Sequence, residues 1–152
     1  MKLIDCLTEK TVEVCSKLAD RDLVLARLVD LLLAGGRIAD RETLLAEIIT
    51  REKLGSTGIG ENVAIPHVHL KGVKGLRVAM MTVPAGVDFN AIDDLPCKIF
   101  IIVVGPDEDR EAYMKLLSQV SRILRVEKTR DALLAAKTPA EFLTTLRGVE
   151  AA

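Results

Sequence analysis

Six consecutive apolar residues, Ile99 to Val104 (I-F-I-I-V-V), constrain this fold more than any other stretch. A strand that is apolar at every position has to be covered on both faces, which suits the centre of a sheet with helices packed above and below. Gly105-Pro106 breaks the run. Leu76 to Val83 reads as a second strand, followed by turn material from Pro84 to Gly86, and Val63-Ala64-Ile65 as a shorter one. Residues 3–7 fit a short strand, while 8–19 follow no clear period.

Helices fill the spaces between these strands. Asp20 offers an N-cap oxygen ahead of Arg21 to Ala34, in which Arg27 and Asp30 are the few polar interruptions, so most of that circumference is predicted to be buried. Gly35-Gly36 ends it. Asp40 caps a second helix over 41–53 with Leu44, Leu45, Ile48 and Ile49 as its apolar stripe, and Gly55 stops it. Arg51, seven residues after Leu44 and three after Ile48, falls on or beside the inward face. A long amphipathic helix begins at Asp107, with Tyr113, Leu116, Leu117, Val120, Ile123 and Leu124 at helical spacing. Thr138-Pro139-Ala140-Glu141 opens a last helix to about Arg147 with a capping box and a first-turn proline. Helices alternating with short strands give an α/β class in a single domain over 1–152.

Composition narrows the function. Net charge is −1 and aromatic residues are 3%, with no Trp, so neither a basic track nor a base-stacking platform for nucleic acid is present. No apolar run approaches a membrane span and the N-terminus lacks a signal sequence, which predicts a cytoplasmic protein without membrane insertion. Cys6, Cys15 and Cys97 are odd in number and widely spaced, and read as buried free thiols.

The chemistry-bearing residues gather between Arg51 and His69, R-E-K-L-G-S-T-G-I-G-E-N-V-A-I-P-H-V-H, which holds both histidines of the chain. The glycines do not form a P-loop, because no Gly-Lys-Ser/Thr closes them. Nor do they form a dinucleotide fingerprint, because they lead from a helix into a strand. They fit a tight loop that needs positive φ. On an extended segment His67 and His69 point to one side and could share a metal, but zinc needs a further ligand and none stands at a known spacing. No metal and no cofactor are predicted. By spacing alone each histidine reads as a surface or hydrogen-bonded residue. Arg51 fits either a helix C-terminal contact with exposed carbonyls or an anion partner beside the loop. Tyr113 reads as a core residue whose hydroxyl reaches the surface. The acidic pairs Asp93-Asp94 and Asp107 to Asp109 read as turn and capping residues.

The segment R-E-x-x-G-S-T-G-I-G-E-N-V-A-I-P-H resembles the active-site signature of enzyme IIA components of the fructose/mannitol class (type 2) of the bacterial sugar phosphotransferase system. G-V-D-F-N-A-I-D-D-L-P-C and the strand ending at Gly105-Pro106 are similar to that family's second block, and the likeness covers nearly the whole chain. The stand-alone nitrogen-regulatory type is the subgroup it resembles most. The resemblance implies an α/β fold with a mixed sheet flanked by helices on both faces. It implies a phosphotransferase component with a phosphohistidine, rather than a stand-alone turnover enzyme. His67 would accept a phosphoryl group from an HPr-type phosphocarrier, Arg51 would lie beside the phosphohistidine, and Thr57, Gly58 and Gly60 would line the site. The partner that follows would be a IIB component in sugar uptake or a regulatory target, and a homodimer is compatible with the reading. A degenerate binding module that is never phosphorylated is the alternative.

Imidazole, with a pKa near ~6.5, supplies a nucleophilic neutral fraction at neutral pH, and phosphoryl transfer asks for alignment and positive potential. An arginine and loop N–H groups can supply that potential. Pro66 holds Ile65 extended and stiffens the approach to His67. Two positions depart from the family pattern: Val68 stands where a glycine often follows the histidine, and Tyr113 where many members carry a second histidine. His69, on the same strand side as His67, is the substitute the sequence offers.

Overall fold

The computed structural model describes residues 1–36 and 38–151. Its core is a mixed six-stranded sheet. In chain order the strands are β1 (Val12–Glu13), β2 (Gly58–Gly60), β3 (Val63–Ala64), β4 (His67–Leu70), β5 (Arg77–Val87) and β6 (Cys97–Pro106). The helices are α1 (Arg21–Ala34), α2 (Arg41–Leu54), α3 (Arg110–Leu124), α4 (Glu127–Ala135) and α5 (Pro139–Ala151).

β6 is the central strand. It pairs antiparallel with β5 on one side; on the other, β3 and β4 run parallel to it one after the other. Alternation along β6 divides the core. Ile99, Ile101 and Val103 face a layer built with Tyr113, Leu116 and Val120 of α3 and Phe142 and Leu146 of α5. Phe100, Ile102 and Val104 face a layer built with Leu25, Leu28 and Leu32 of α1 and Leu44 and Ile48 of α2. The expected sheet with helices on both faces is therefore the observed architecture, and the physical reason is the one the run Ile99–Val104 imposes.

Local signals set most boundaries. Asp20, Asp40 and Asp109 accept the N–H groups of Leu23, Thr43 and Ala112, closing the first turns of α1, α2 and α3. Thr138 Oγ1 accepts the Glu141 N–H at the start of α5.

Several expectations need correction. Residues Leu3–Cys6 form a 3-10 helix, not a strand, with the Leu3 and Ile4 N–H groups donated to the Glu150 carboxylate. The segment Pro84 to Gly86 lies within β5, with Gly86 at φ +84° where the pairing with β6 slips between Thr82 and Val87. α3 ends at Leu124, the last residue of the expected stripe, and a further helix, α4, follows Arg125-Val126 in a stretch to which no element was assigned. α1 buries one face and leaves Leu23 48% exposed, so less of its circumference is covered than expected. Cys97 is buried, but Cys6 is half-buried and Cys15 exposed.

Candidate functional site

The site begins at the join between β3 and β4. Pro66 has no N–H to give β6, though its carbonyl accepts the Val103 N–H at 3.0 Å, and it holds Ile65 extended. The polar groups of Ile65 face away from β6 and bond elsewhere. Its N–H donates to the Thr57 carbonyl at 3.0 Å, and its carbonyl accepts the Nδ1–H of His67 at 2.6 Å. A carbonyl only accepts, so the proton of neutral His67 sits on Nδ1 and the lone pair is on Nε2.

Strand alternation sends His67 and His69 to the face that carries α3, while Val68 and Leu70 pack into the opposite layer. Val68 therefore stands on the far side of the sheet from the His67 ring, and a β-branched residue suits its extended backbone. His69 donates Nδ1–H to the Pro106 carbonyl at 3.3 Å and lies against Tyr113 with ring centroids 3.9 Å apart. His67 and Tyr113 have centroids 6.2 Å apart. Gly105, opposite His69 in the register, makes room for the tyrosine: a Cβ there would stand 2.6 Å from Tyr113 Cδ2.

The Tyr113 hydroxyl does not reach the surface as expected. The residue is 2% exposed, and its hydroxyl is buried without a hydrogen-bond partner. Burial pushes its pKa up to about 12 against the opposing pull of Arg51 and Arg110, so it stays a protonated donor at neutral pH.

Arg51 Nη1 donates to the Gly55 carbonyl at 2.9 Å, the helix-end contact that is one of its two sequence readings. Its charge also faces the site, since it disfavours a proton on His67 and favours ionised Tyr113. The His67 pKa lies below its ordinary 6.5, chiefly from burial. The Ile65 bond and Glu52 oppose the shift, while Arg51 and His69 add to it. The unfolded chain thus takes up this proton first. The folded state is expected to lose stability as the pH falls below 6.5, the loss being complete below the folded pKa. An NMR titration of the His67 ring, set beside urea midpoints at successive pH values, checks both parts.

The loop departs from expectation in how its donors are used. Thr57 gives its N–H to Glu52 Oε2 at 3.0 Å and its hydroxyl to Oε1, and the Gly58 N–H goes to Ser56 Oγ at 3.0 Å. These amides are spent inside the protein rather than left free for an anion. Of Gly55, Gly58 and Gly60, only Gly60 needs positive φ (+94°). At Gly58 a Cβ would meet the Ala91 Cβ at 2.8 Å, so close approach explains that glycine. Asp93 accepts from Glu61 and Leu95 as a turn residue.

Glu52 is the residue the sequence reading passed over. It is 3% exposed beneath the loop. Its position four residues after Ile48 and eight after Leu44, in line with the buried stripe of α2, is the signal that could have found it. No group of three or more His, Cys, Asp or Glu among the described residues could hold a metal. No helix among them is long and apolar enough to cross a membrane.

An imidazole with one nitrogen left free thus lies half-buried near an arginine and an unpartnered phenol, on a mixed sheet with helices on both faces. A family model described as "Phosphoenolpyruvate-dependent sugar phosphotransferase system, EIIA 2" matches residues 5–148, and the chain belongs to that family. It is thus a IIA component, a phosphocarrier or regulatory part of such a system.

Relatives of both kinds are found. The chain is 35% identical over 111 residues to the fructose-specific EIIA component of Haloferax volcanii, across 73% of this chain and 72% of that protein. It is 36% identical over 99 residues to a nitrogen regulatory protein of Pseudomonas aeruginosa, across 65% of this chain and 64% of that one. In fold it is similar to nitrogen regulatory protein IIA-Ntr from Neisseria meningitidis, with a TM-score of 0.87, 24% identity, and coverage of 95% of this chain and 98% of that one. It is also similar to enzyme IIA-mannitol from Escherichia coli, solved in complex with phosphorylated enzyme IIB-mannitol. There the TM-score is 0.76 at 21% identity, covering 93% and 97% of the two chains.

Proposed function

We propose that His67 is the phosphoryl acceptor, taking its group from a phosphorylated HPr-type carrier protein. The observation that carries this reading is a neutral imidazole whose Nδ1–H is committed to the Ile65 carbonyl beside the Arg51 charge. The Nε2 lone pair forms the new bond to phosphorus. The bond between phosphorus and the donor atom breaks, and its electron pair leaves with the donor. The ring gains positive charge, which the Ile65 carbonyl, already holding the Nδ1 proton, stabilises.

Arg51 spends one of its N–H groups on Gly55 and keeps others for phosphoryl oxygens. The Tyr113 hydroxyl is a second donor, and the loop of Thr57, Gly58 and Gly60 supplies the scaffold around them. The phosphoryl group then passes to a IIB component or stays as a signal that changes binding of a regulatory target. We place this activity in the cytoplasm, in a single domain over 1–152.

Incubation with enzyme I, HPr and labelled phosphoenolpyruvate tests the reading: label on the protein supports it, and its absence leaves a degenerate binding module. Adding a IIB component to the labelled protein separates the two outlets. Discharge favours transport, retention regulation.

Tyr113→Phe removes only the buried hydroxyl. An unsatisfied buried donor costs about 1–3 kcal/mol, so this variant is expected to melt at or above the wild-type temperature. Its phosphoryl uptake is expected to fall roughly tenfold or more, the loss when one donor to developing oxygen charge is deleted. Equal uptake rates in a stopped-flow or quench assay would assign the hydroxyl no part in transfer.

A further inference from the structure

One buried group near the site takes no part in the scheme above, the Glu52 carboxylate in the last turn of α2. It is sealed under the loop with both oxygens occupied, Oε2 by the Thr57 N–H and Oε1 by the Thr57 hydroxyl. The bonds continue from there without a gap. The Thr57 carbonyl accepts the Ile65 N–H at 3.0 Å, and the Ile65 carbonyl accepts the Nδ1–H of His67 at 2.6 Å.

We infer that Glu52 is a positioning residue: acting through Thr57 and Ile65, it fixes the tautomer and the ring orientation of His67. The chain is built from groups with no competing partner. Pro66 has no N–H to give and holds to β6 only through its carbonyl, which accepts the Val103 N–H at 3.0 Å, while the two polar groups of Ile65 bond Thr57 on one side and His67 on the other. Thr57 in turn is fixed at two atoms by one buried carboxylate, which leaves it neither rotation nor slip. Glu52 also acts directly on the ring, because its charge favours protonated His67. A carboxylate and a guanidinium on successive residues, Glu52 and Arg51, thus pull the same imidazole in opposite directions, one from beneath the loop and one from the site.

The inference rests on His67 being the acceptor, and its test is chosen to stand apart from that reading. In Glu52→Gln, which keeps the shape and loses the charge and one acceptor oxygen, long-range nitrogen–proton NMR spectra of His67 are expected to show a mixture of Nδ1–H and Nε2–H forms. Wild type is expected to show Nδ1–H alone. The His67 titration midpoint is expected to move down. Phosphoryl uptake is expected to drop roughly tenfold to a hundredfold in kcat, the cost of a misplaced nucleophile, with the KM for the phosphorylated carrier unchanged.

A folded Glu52→Gln protein whose His67 tautomer, midpoint and rate match wild type overturns the inference. Should that variant fail to fold, Thr57→Val decides. It keeps the backbone and removes the hydroxyl bond, and an unchanged His67 tautomer overturns the inference, while a mixed one supports it. Because the NMR readout needs no phosphoryl donor, an unlabelled wild type would remove the carrier reading while leaving the Glu52–Thr57–Ile65–His67 chain to be judged by the spectra.

Discussion

His67→Ala is expected to take up no label from enzyme I, HPr and labelled phosphoenolpyruvate, while remaining folded. The loss is expected to be total because no second imidazole offers the same geometry. His69 lies against the Tyr113 ring at 3.9 Å and is tied to the Pro106 carbonyl, on the far side of His67 from the Thr57 loop. The stability cost is expected to be small, since His67 is only half-buried and its side chain makes one hydrogen bond, worth about 0.5–1.5 kcal/mol net. For a chain of this size, about 1 kcal/mol corresponds to roughly 2–4 °C in Tm. Residual labelling in a folded His67→Ala protein would move the acceptor to His69.

Arg51→Ala is the second large effect. It removes the charge beside the imidazole and the donor to the Gly55 carbonyl together. The helix-end contact is worth about 0.3–1 kcal/mol. The transfer step is expected to lose roughly a hundredfold to a thousandfold, as when a donor aimed at developing oxygen charge is deleted. Arg51→Lys is expected to recover part of the rate, because it restores the charge without the planar fork. The His67 titration midpoint is expected to rise in Arg51→Ala, since one cause of its depression has gone. Uptake rates read beside thermal melts settle the matter: matched damage to rate and stability would make Arg51 a structural helix-end residue only.

What the sequence made legible was whatever is decided locally. Asp20, Asp40 and Asp109 cap helices because a side-chain oxygen reaches an N–H three residues on, and that needs no knowledge of the rest of the chain. β6 was legible because six apolar residues in a row admit one environment. The start of α4 was not, because Val126 stands at its N-cap with no side-chain bond to mark it. There Arg130 closes the junction from a distance, donating to the Leu124 and Arg125 carbonyls and pairing with Glu61.

Pro84 to Gly86 looked like a turn because its residues favour one. Pairing of Val87 with Cys97 carries the strand through.

At the candidate site, strand alternation read from the sequence put His67 and His69 on one side, as the register of β4 on β6 has them. Its hydrogen bonding was hidden. Thr57 and Gly58 look like anion-binding loop residues in sequence, and only the buried position of Glu52 reveals where the Thr57 donors go. The Tyr113 hydroxyl is a similar case: helical periodicity assigns the residue to the apolar face without saying that its polar end is enclosed there.

The short bond from His67 to the Ile65 carbonyl has a consequence for the phosphorylation proposed at that ring. A phosphorylated histidine exists as two regioisomers that differ in which ring nitrogen carries the group, and they hydrolyse and react with antibodies differently. With the pros nitrogen bonded to the main chain, the transfer proposed for His67 would yield the tele isomer, and the pros isomer would require that bond to break and the ring to turn first.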